Sequence, residues 1–310
     1  MPTKCFSSFE AFFDANQHAS LRAMVLGPDR GKWVLTNLPL SRITIQFGEA
    51  AGNAVVEGSP QPGGVSIFIL TQGLSAMSGN GRRFDDRTLL VAKSGDEFCL
   101  AADAWRRWCS FYVPNEVLAR VNEDAPTAVG SRRGVFRLPL QRIERFRSVI
   151  QRLDEVVQQA PDAFQSAAAQ KAAQQKLVPE ICTMLAISQK AQHRVGRQVM
   201  PRDQIIRLAM DCVDQHSGEH LSVGQLATAS RVSERTLRDA FQQYFGASPV
   251  RYLNRRTLHQ VRSALKAADP SVATVTEIAT QFGVWELGRF ARDYCFLFGE
   301  LPSETLRDFN

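Results

Sequence analysis

Ser222-Val-Gly-Gln-Leu-Ala227 returns as Thr274-Val-Thr-Glu-Ile-Ala279, and Phe245-Gly246 with Pro249 returns as Phe298-Gly299 with Pro302. In each copy a hydroxyl residue stands three positions before Gln225 or Glu277. That is the spacing of a capping box, in which each side chain bonds the other residue's backbone N–H. A short helix is therefore predicted after each cap, running through residues 229 and 281. Leu226 and Ile278 face inward, and Ala227 and Ala279 are small enough for close helix packing. Each short helix then turns into a second one. Gly283 accepts positive φ at the second turn, whereas Arg231 holds the matching place in the first. Keeping the same geometry there would cost about 1 kcal/mol.

Past the turn the second copy carries one extra residue, so Leu237, Phe241 and Phe245 match Phe290, Tyr294 and Phe298. Burying these positions leaves Glu234, Arg235, Arg238, Asp239 and Gln242 exposed on the first long helix. On the second it leaves Glu286, Arg289, Arg292 and Asp293. Arginine can bond guanine O6 and N7 in the major groove, and carboxylates or glutamine can serve cytosine or adenine edges. Between the copies, Ser248 as N-cap and Pro249 at the first helical position start a helix to about residue 268. Tyr252, Leu253, Leu258, Val261 and Leu265 face inward. Some 18 residues give roughly 27 Å, enough to hold two reading helices about one DNA turn apart. The pattern implies an all-α domain with two helix-turn-helix motifs joined by a long helix, set against double-stranded DNA. Candidate phosphate contacts are Arg251, Arg255 and Arg256, with Ser233 and Thr236 at the head of the first reading helix; Arg262 adds charge.

The chain of 310 residues has a formal net charge of +6, which suits a polyanionic partner. Residues 202–310 are nevertheless neutral, with thirteen basic and thirteen acidic side chains. Affinity must therefore come from local placement, to which Lys190, Arg194 and Arg197 contribute. No apolar run approaches the roughly 18 residues of a membrane span, and the first residues lack a signal core, so a cytoplasmic protein is expected. The six cysteines are scattered without a C-x-x-C spacing, which fits reduced thiols and core packing at Cys99 and Cys109.

Short β-like stretches at 32–36, 42–47, 65–70, 88–92, 97–100 and 108–113, separated by glycine-rich turns, predict a barrel or sandwich. Trp33, Phe47, Phe68, Trp105 and Trp108 are the candidate lining of an apolar effector pocket, with plain core packing as the competing role. After Pro139, Ile143, Phe146, Ile150, Leu153, Val156 and Val157 fall on one helix face. A second helix is expected over about 163–188, kinked or restarted by Pro179. The chain is thus expected to be an α+β multidomain protein. Residues 1–188 form the β-barrel domain with its helices, 189–201 the linker, and 202–310 the helical domain.

A metal-dependent barrel enzyme would place histidines among the strands. His18, His193, His216, His220 and His259 all lie outside the expected ones, so no metal, cofactor or catalytic residue is assigned. His216-Ser-Gly-Glu-His220 fits H-x-x-E-H formally, but Gly218 interrupts the helix that pattern needs. An accessory DNA-binding protein whose barrel only dimerises is the remaining alternative to a sensor.

Residues 221–307 resemble the AraC/XylS family of bacterial transcription regulators. The resemblance rests on Val232-Ser-Glu-Arg-Thr-Leu237, Phe245-Gly-Ala-Ser-Pro249, Arg251-Tyr-Leu253, Glu277-Ile-Ala279, Phe282-Gly283, Gly288-Arg-Phe290 and Phe298-Gly-Glu-Leu-Pro-Ser303. Trp285-x-Leu287-Gly288-x-Phe290 is similar to the branch containing ethanolamine-operon regulators. The resemblance implies base contacts at Arg235, Arg238 and Asp239 and at Glu286, Leu287 and Arg292. Asp239 and Glu286 depart from the usual basic or amide residues, which shifts base preference. The strand order and Ser94-Gly-Asp-Glu-Phe98 resemble the family's cupin-like sensor domain. This implies a small-molecule effector, action with RNA polymerase at promoters, activation among the possible outcomes, and a homodimer formed through residues 141–153 or 177–187.

Overall fold

The computed structural model describes residues 3–28, 31–74, 77–121, 134–160, 162–190, 202–216 and 221–308. The chain divides into two compact units, residues 1–23, 31–51 and 56–197 in one and residues 24–30, 52–55 and 198–310 in the other. Most of the expected linker, from residue 191 on, lies outside the described residues, as do positions 217–220 of the H-x-x-E-H stretch.

The first unit is built on two sheets. A seven-stranded antiparallel sheet runs in the order β1 (Lys4–Phe6), β3 (Trp33–Leu40), β4 (Ile43–Ala50), β11 (Arg106–Pro114), β6 (Gly64–Gln72), β9 (Thr88–Lys93) and β12 (Gly134–Arg137). The second has the order β2 (Ala19–Val25), β5 (Ala54–Pro60), β10 (Phe98–Ala102), β7 (Met77–Gly79) and β8 (Arg82–Arg83). Both orders have two ends, so the expected barrel is not closed. The short helices α1 (Phe9–Asp14) and α2 (Asn115–Val121) complete the strand region.

Strand alternation gives the larger sheet two apolar faces. On one, Ile43, Ile45, Phe47, Ile67, Ile69, Phe111 and Val113 are buried beneath α3 (Leu140–Gln159) and α4 (Ala167–Lys190). The helices meet them with Ile143, Phe146, Ile150, Leu177, Ile181 and Leu185, and the Phe111 and Phe146 rings lie 5.6 Å apart. This arrangement corrects two expectations. Val156 falls off the inward face and is exposed. Pro179 does not restart the second helix, which continues through it. Ile143, Phe146 and Ile150 of α3 and Leu177, Ile181 and Leu185 of α4, within the stretches expected to dimerise, are buried in the unit's own core.

In the second unit α5 (Arg202–Gln215) packs on α6 (Val223–Ala229) and α7 (Glu234–Phe245). The 19-residue α8 (Pro249–Ala267) touches α7, α9 (Val275–Gln281) and α11 (Pro302–Arg307). Packed on α11 is α10 (Leu287–Phe298). Ser248 caps α8 and Pro249 opens it, as its sequence implied. α7 and α10 both stop at a left-handed residue, Gly246 and Gly299, where the missing Cβ removes the steric cost. Among the described residues no helix is long and apolar enough to cross a membrane.

Phe146 is fully buried between the sheet and α4, whereas Val156 on the same helix is 40% exposed. Phe146→Ala is expected to lower the unit's unfolding free energy by about 3–5 kcal/mol, and Val156→Ala by less than about 1 kcal/mol. Urea unfolding followed by far-UV circular dichroism measures both.

Candidate nucleic-acid interface

Both capping boxes form. Ser222 Oγ accepts from the Gln225 amide at 3.2 Å while Gln225 Oε1 accepts from the Ser222 amide at 2.8 Å. Thr274 and Glu277 reproduce the pair at 3.2 and 2.9 Å. The hydrogen bonds from the Thr274 hydroxyl and backbone hold the Glu277 carboxyl below its usual range.

The turns repeat bond for bond. The Val232 amide donates to Ala227 O at 3.0 Å, as Val284 does to Ala279 O at 3.1 Å. Arg231 donates to Thr228 O and Gly283 to Thr280 O, both at 3.0 Å. The glycine geometry is therefore kept in the first copy, with Arg231 at φ 56° beside Gly283 at φ 74°. Only after residue 284 do the copies diverge. Ser233 caps α7 through the Thr236 amide, whereas α10 starts after Trp285 and Glu286 without a side-chain cap.

Leu237, Ala240, Phe241 and Phe245 turn one side of α7 inward, and Phe290, Tyr294 and Leu297 do so for α10. The opposite side of α7 presents Glu234, Arg235, Arg238, Asp239 and Gln242, all exposed. On α10 Arg289 and Arg292 are exposed, Leu287 is half-buried, and Glu286 stands at the N-cap rather than within the helix. Glu234 holds Arg238 at 2.6 Å, and Arg289 lies 3.4 Å from Glu286 and 3.8 Å from Asp293. Exposed pairs of this kind are worth no more than about 1 kcal/mol, so exchanging them for an outside acceptor costs little.

The proposed phosphate contacts separate in the structure. Arg251 is exposed in the first turn of α8, and Ser233 and Thr236 bring their hydroxyls to 2.9 Å of each other at the head of α7. Arg255 is half-buried over the Phe296 ring, and burial lowers its pKa, opposed by Asp293. Arg256 is only 17% exposed and is held by Asp214, tying α8 to α5. Arg262, read from sequence as offered charge, belongs to the fold. It bonds Glu300 and Tyr294 and lies 4.5 Å from the centre of the Phe298 ring. Thr305 joins by donating to Glu300 and lying 2.8 Å from the Tyr294 hydroxyl. This cluster fixes α10 against α8 and α11, and no local pattern sets Arg262 apart from the neighbouring arginines of α8.

The five aromatic residues proposed to line a pocket are also separated. Phe68 and Trp108, with ring centroids 5.5 Å apart, line a cavity between the two sheets of the first unit. Trp33 is outside the lining but packs on Phe12 and Phe13, which belong to it, and Phe47 belongs to the core beneath the helices. Trp105 is 41% exposed and donates to Glu49. Sequence reasoning missed the polar residues at the cavity, among them His18, Ser110 and Arg106.

Comparison with known proteins agrees with the helical geometry. Residues 226–308 match a family model described as a helix-turn-helix domain. Over 103 residues the chain is 42% identical to a probable thc operon regulatory protein from Rhodococcus erythropolis, covering 33% of this chain and 31% of that one. Over 95 residues it is 37% identical to a XylDLEGF operon transcriptional activator from Pseudomonas putida, covering 31% of this chain and 30% of the relative. The chain thus spans about a third of the length of these curated relatives. A probable AraC family transcriptional regulator of known structure from Rhodopseudomonas palustris is 33% identical, covering 33% of this chain and 94% of that chain at a TM-score of 0.31. The second unit carries a helix-turn-helix domain similar to those of AraC-type regulators.

Burial pushes the Glu300 carboxyl up, but the Thr305 and Arg262 hydrogen bonds and the Arg262 and Lys266 charges outweigh it and leave the pKa lowered. A carboxyl held down in the folded state contributes stability that is present above its unfolded pKa. That stability is lost as pH falls through the folded value. Unfolding free energy is expected to drop with acidification below about pH 4.5, and Glu300→Gln to flatten that limb in denaturant titrations.

Proposed function

We propose that the chain is a sequence-specific DNA-binding transcription regulator of AraC type, with α7 and α10 as its reading helices. The observation that carries this reading is the duplicated helix pair. Two capped helices turn through the same backbone hydrogen bonds into longer helices whose buried sides leave arginines outward. Arg235, Arg238, Asp239 and Gln242 on α7 meet base edges in one major groove, with Glu234 released from Arg238. Glu286, Leu287, Arg289 and Arg292 do so in the next. The 19 residues of α8 span about 28 Å, close to one turn of DNA. Arg251, Ser233 and Thr236 position the unit on phosphates, and Arg255 and Arg256 add positive field from within the surface.

The first unit, in this reading, is a cupin-like sensor that takes a small-molecule effector between its sheets and changes how the protein acts with RNA polymerase at a promoter in the cytoplasm. The variant at 285–290 aligns it with the ethanolamine-operon branch. A homodimer formed through residues 141–153 or 177–187 would use the sides of α3 and α4 turned away from their own core.

Arg238→Ala and Arg292→Ala are each expected to cost about 1–3 kcal/mol on a specific promoter site and to relax base choice. Arg251→Ala is expected to weaken specific and random duplexes by the same factor. Fluorescence anisotropy at fixed salt, with random duplex as competitor, measures all three. Equal losses on specific and random DNA for Arg238→Ala and Arg292→Ala would remove the reading role from these helices.

A further inference from the structure

Trp285 stands at the head of α10 with 78% of its surface exposed, and no contact within the fold accounts for it. The matching backbone bonds of Val232 and Val284 put it where the first copy holds Ser233. Ser233 caps α7 through the Thr236 amide, whereas Trp285 leaves the cap position to Glu286, which makes no side-chain cap bond. Three residues on, Gly288 occupies the second position of the helix. A Cβ built there meets nothing within 4 Å, so packing does not call for a glycine. Inside a helix glycine is less stable than alanine. The fold therefore carries an exposed indole and an unfilled helix position at one end of α10, and Gly288 shares a helix face with Arg292, four residues on.

We infer that Trp285 and Gly288 belong to the reading surface of α10, the indole meeting the 5-methyl group of a thymine in the major groove and Gly288 leaving room for the DNA to come close to the helix. The inference deepens the DNA-reading function above and rests on it. In a helix-turn-helix the residues at the N-terminal end of the second helix reach the base edges, and both residues stand at that end. An indole offers an apolar face and a single N–H donor. Of the groups that bases present in the major groove, the thymine methyl is the apolar one. A missing Cβ is what a close approach of backbone and ligand needs. The surface is also continuous with Glu286, Leu287 and Arg292, so any occupant of Trp285 other than DNA would displace DNA from α10.

The test starts from a duplex enriched by the full chain out of a pool with about 30 random base pairs, enough for two half-sites one turn apart. Each thymine is replaced in turn by deoxyuridine, which removes only the methyl group, and affinity is read by fluorescence anisotropy at fixed salt. At one thymine the exchange is expected to weaken wild-type binding about fourfold, the worth of one methyl contact. Trp285→Ala is expected to weaken binding to the thymine duplex about tenfold. On the deoxyuridine duplex it loses less than about twofold more, because the partner of the methyl group is already gone. Gly288→Ala is expected to leave the melting temperature unchanged or higher and yet to weaken binding about tenfold or more. Thermal melts followed by circular dichroism confirm that both variants fold. The thymine contact is overturned if no deoxyuridine weakens wild-type binding, if Trp285→Ala binds as tightly as wild type, or if it loses as much as wild type on deoxyuridine. Wild-type affinity of Gly288→Ala would overturn the close approach. Failure to enrich any duplex over the starting pool strikes at DNA reading itself and takes this contact with it, so the two failures are told apart.

Discussion

The turn in which the amide of residue 232 or 284 reaches back to the carbonyl of residue 227 or 279 is the constraint on which the second unit depends. It fixes where each longer helix begins relative to the shorter one, and Ala227 and Ala279, both buried, leave room for the chain to fold back so closely. Once that start is set, the aromatic and leucine positions of α7 and α10 have one way to reach the core, and the arginine-bearing sides follow. The geometry matters enough that Arg231 is held in the left-handed region that Gly283 occupies without strain. Strain at this point, on the order of 1 kcal/mol, is small beside the burial of Leu237, Phe241 and Phe245 that it permits.

In the first unit the organising constraint is that one sheet must satisfy two neighbours. Residues of one parity on β4, β6 and β11 face α3 and α4, while Ser66, Phe68, Trp108 and Ser110 face the second sheet across the cavity. The helix side is filled by large aliphatic and aromatic side chains. The other side carries hydroxyls, a neutral histidine and a buried guanidinium, a mixture that costs stability in a plain core and suits recognition. Gly48 belongs to this side as well, because a Cβ there would come within 2.1 Å of the Trp108 ring.

Much of this was legible in the sequence where local chemistry and packing agree. The caps at Ser222, Thr274 and Ser248, the inward sets of α7 and α8, that of α3 apart from Val156, and six of the strands follow from spacing alone. The strands β2 and β5 were not, because Ala19–Val25 and Ala54–Pro60 mix polar and apolar residues without the strong alternation of β6. The pocket was half legible. Alternation tells which aromatic residues share a face, but not whether helices or a second sheet will cover it, so Phe47 and Phe68 could not be told apart. Arg106 carried a usable signal, since it shares parity with Trp108 and Ser110 on β11. His18 carried none, lying in a turn whose neighbours gave no strand pattern. Arg256 and Arg262 looked like surface charge because their partners, Asp214 and Glu300, are distant in sequence.

The most direct measurement is anisotropy binding of the full chain to its protected promoter site, repeated with about five and about ten base pairs inserted between the two half-sites. If α8 holds two reading helices on one face of the duplex, five added pairs turn one half-site to the far side and reduce binding towards that of random DNA. Ten added pairs restore the face but exceed the fixed span, and affinity stays low. Undiminished binding to both longer sites would contradict two-helix reading by a single rigid unit.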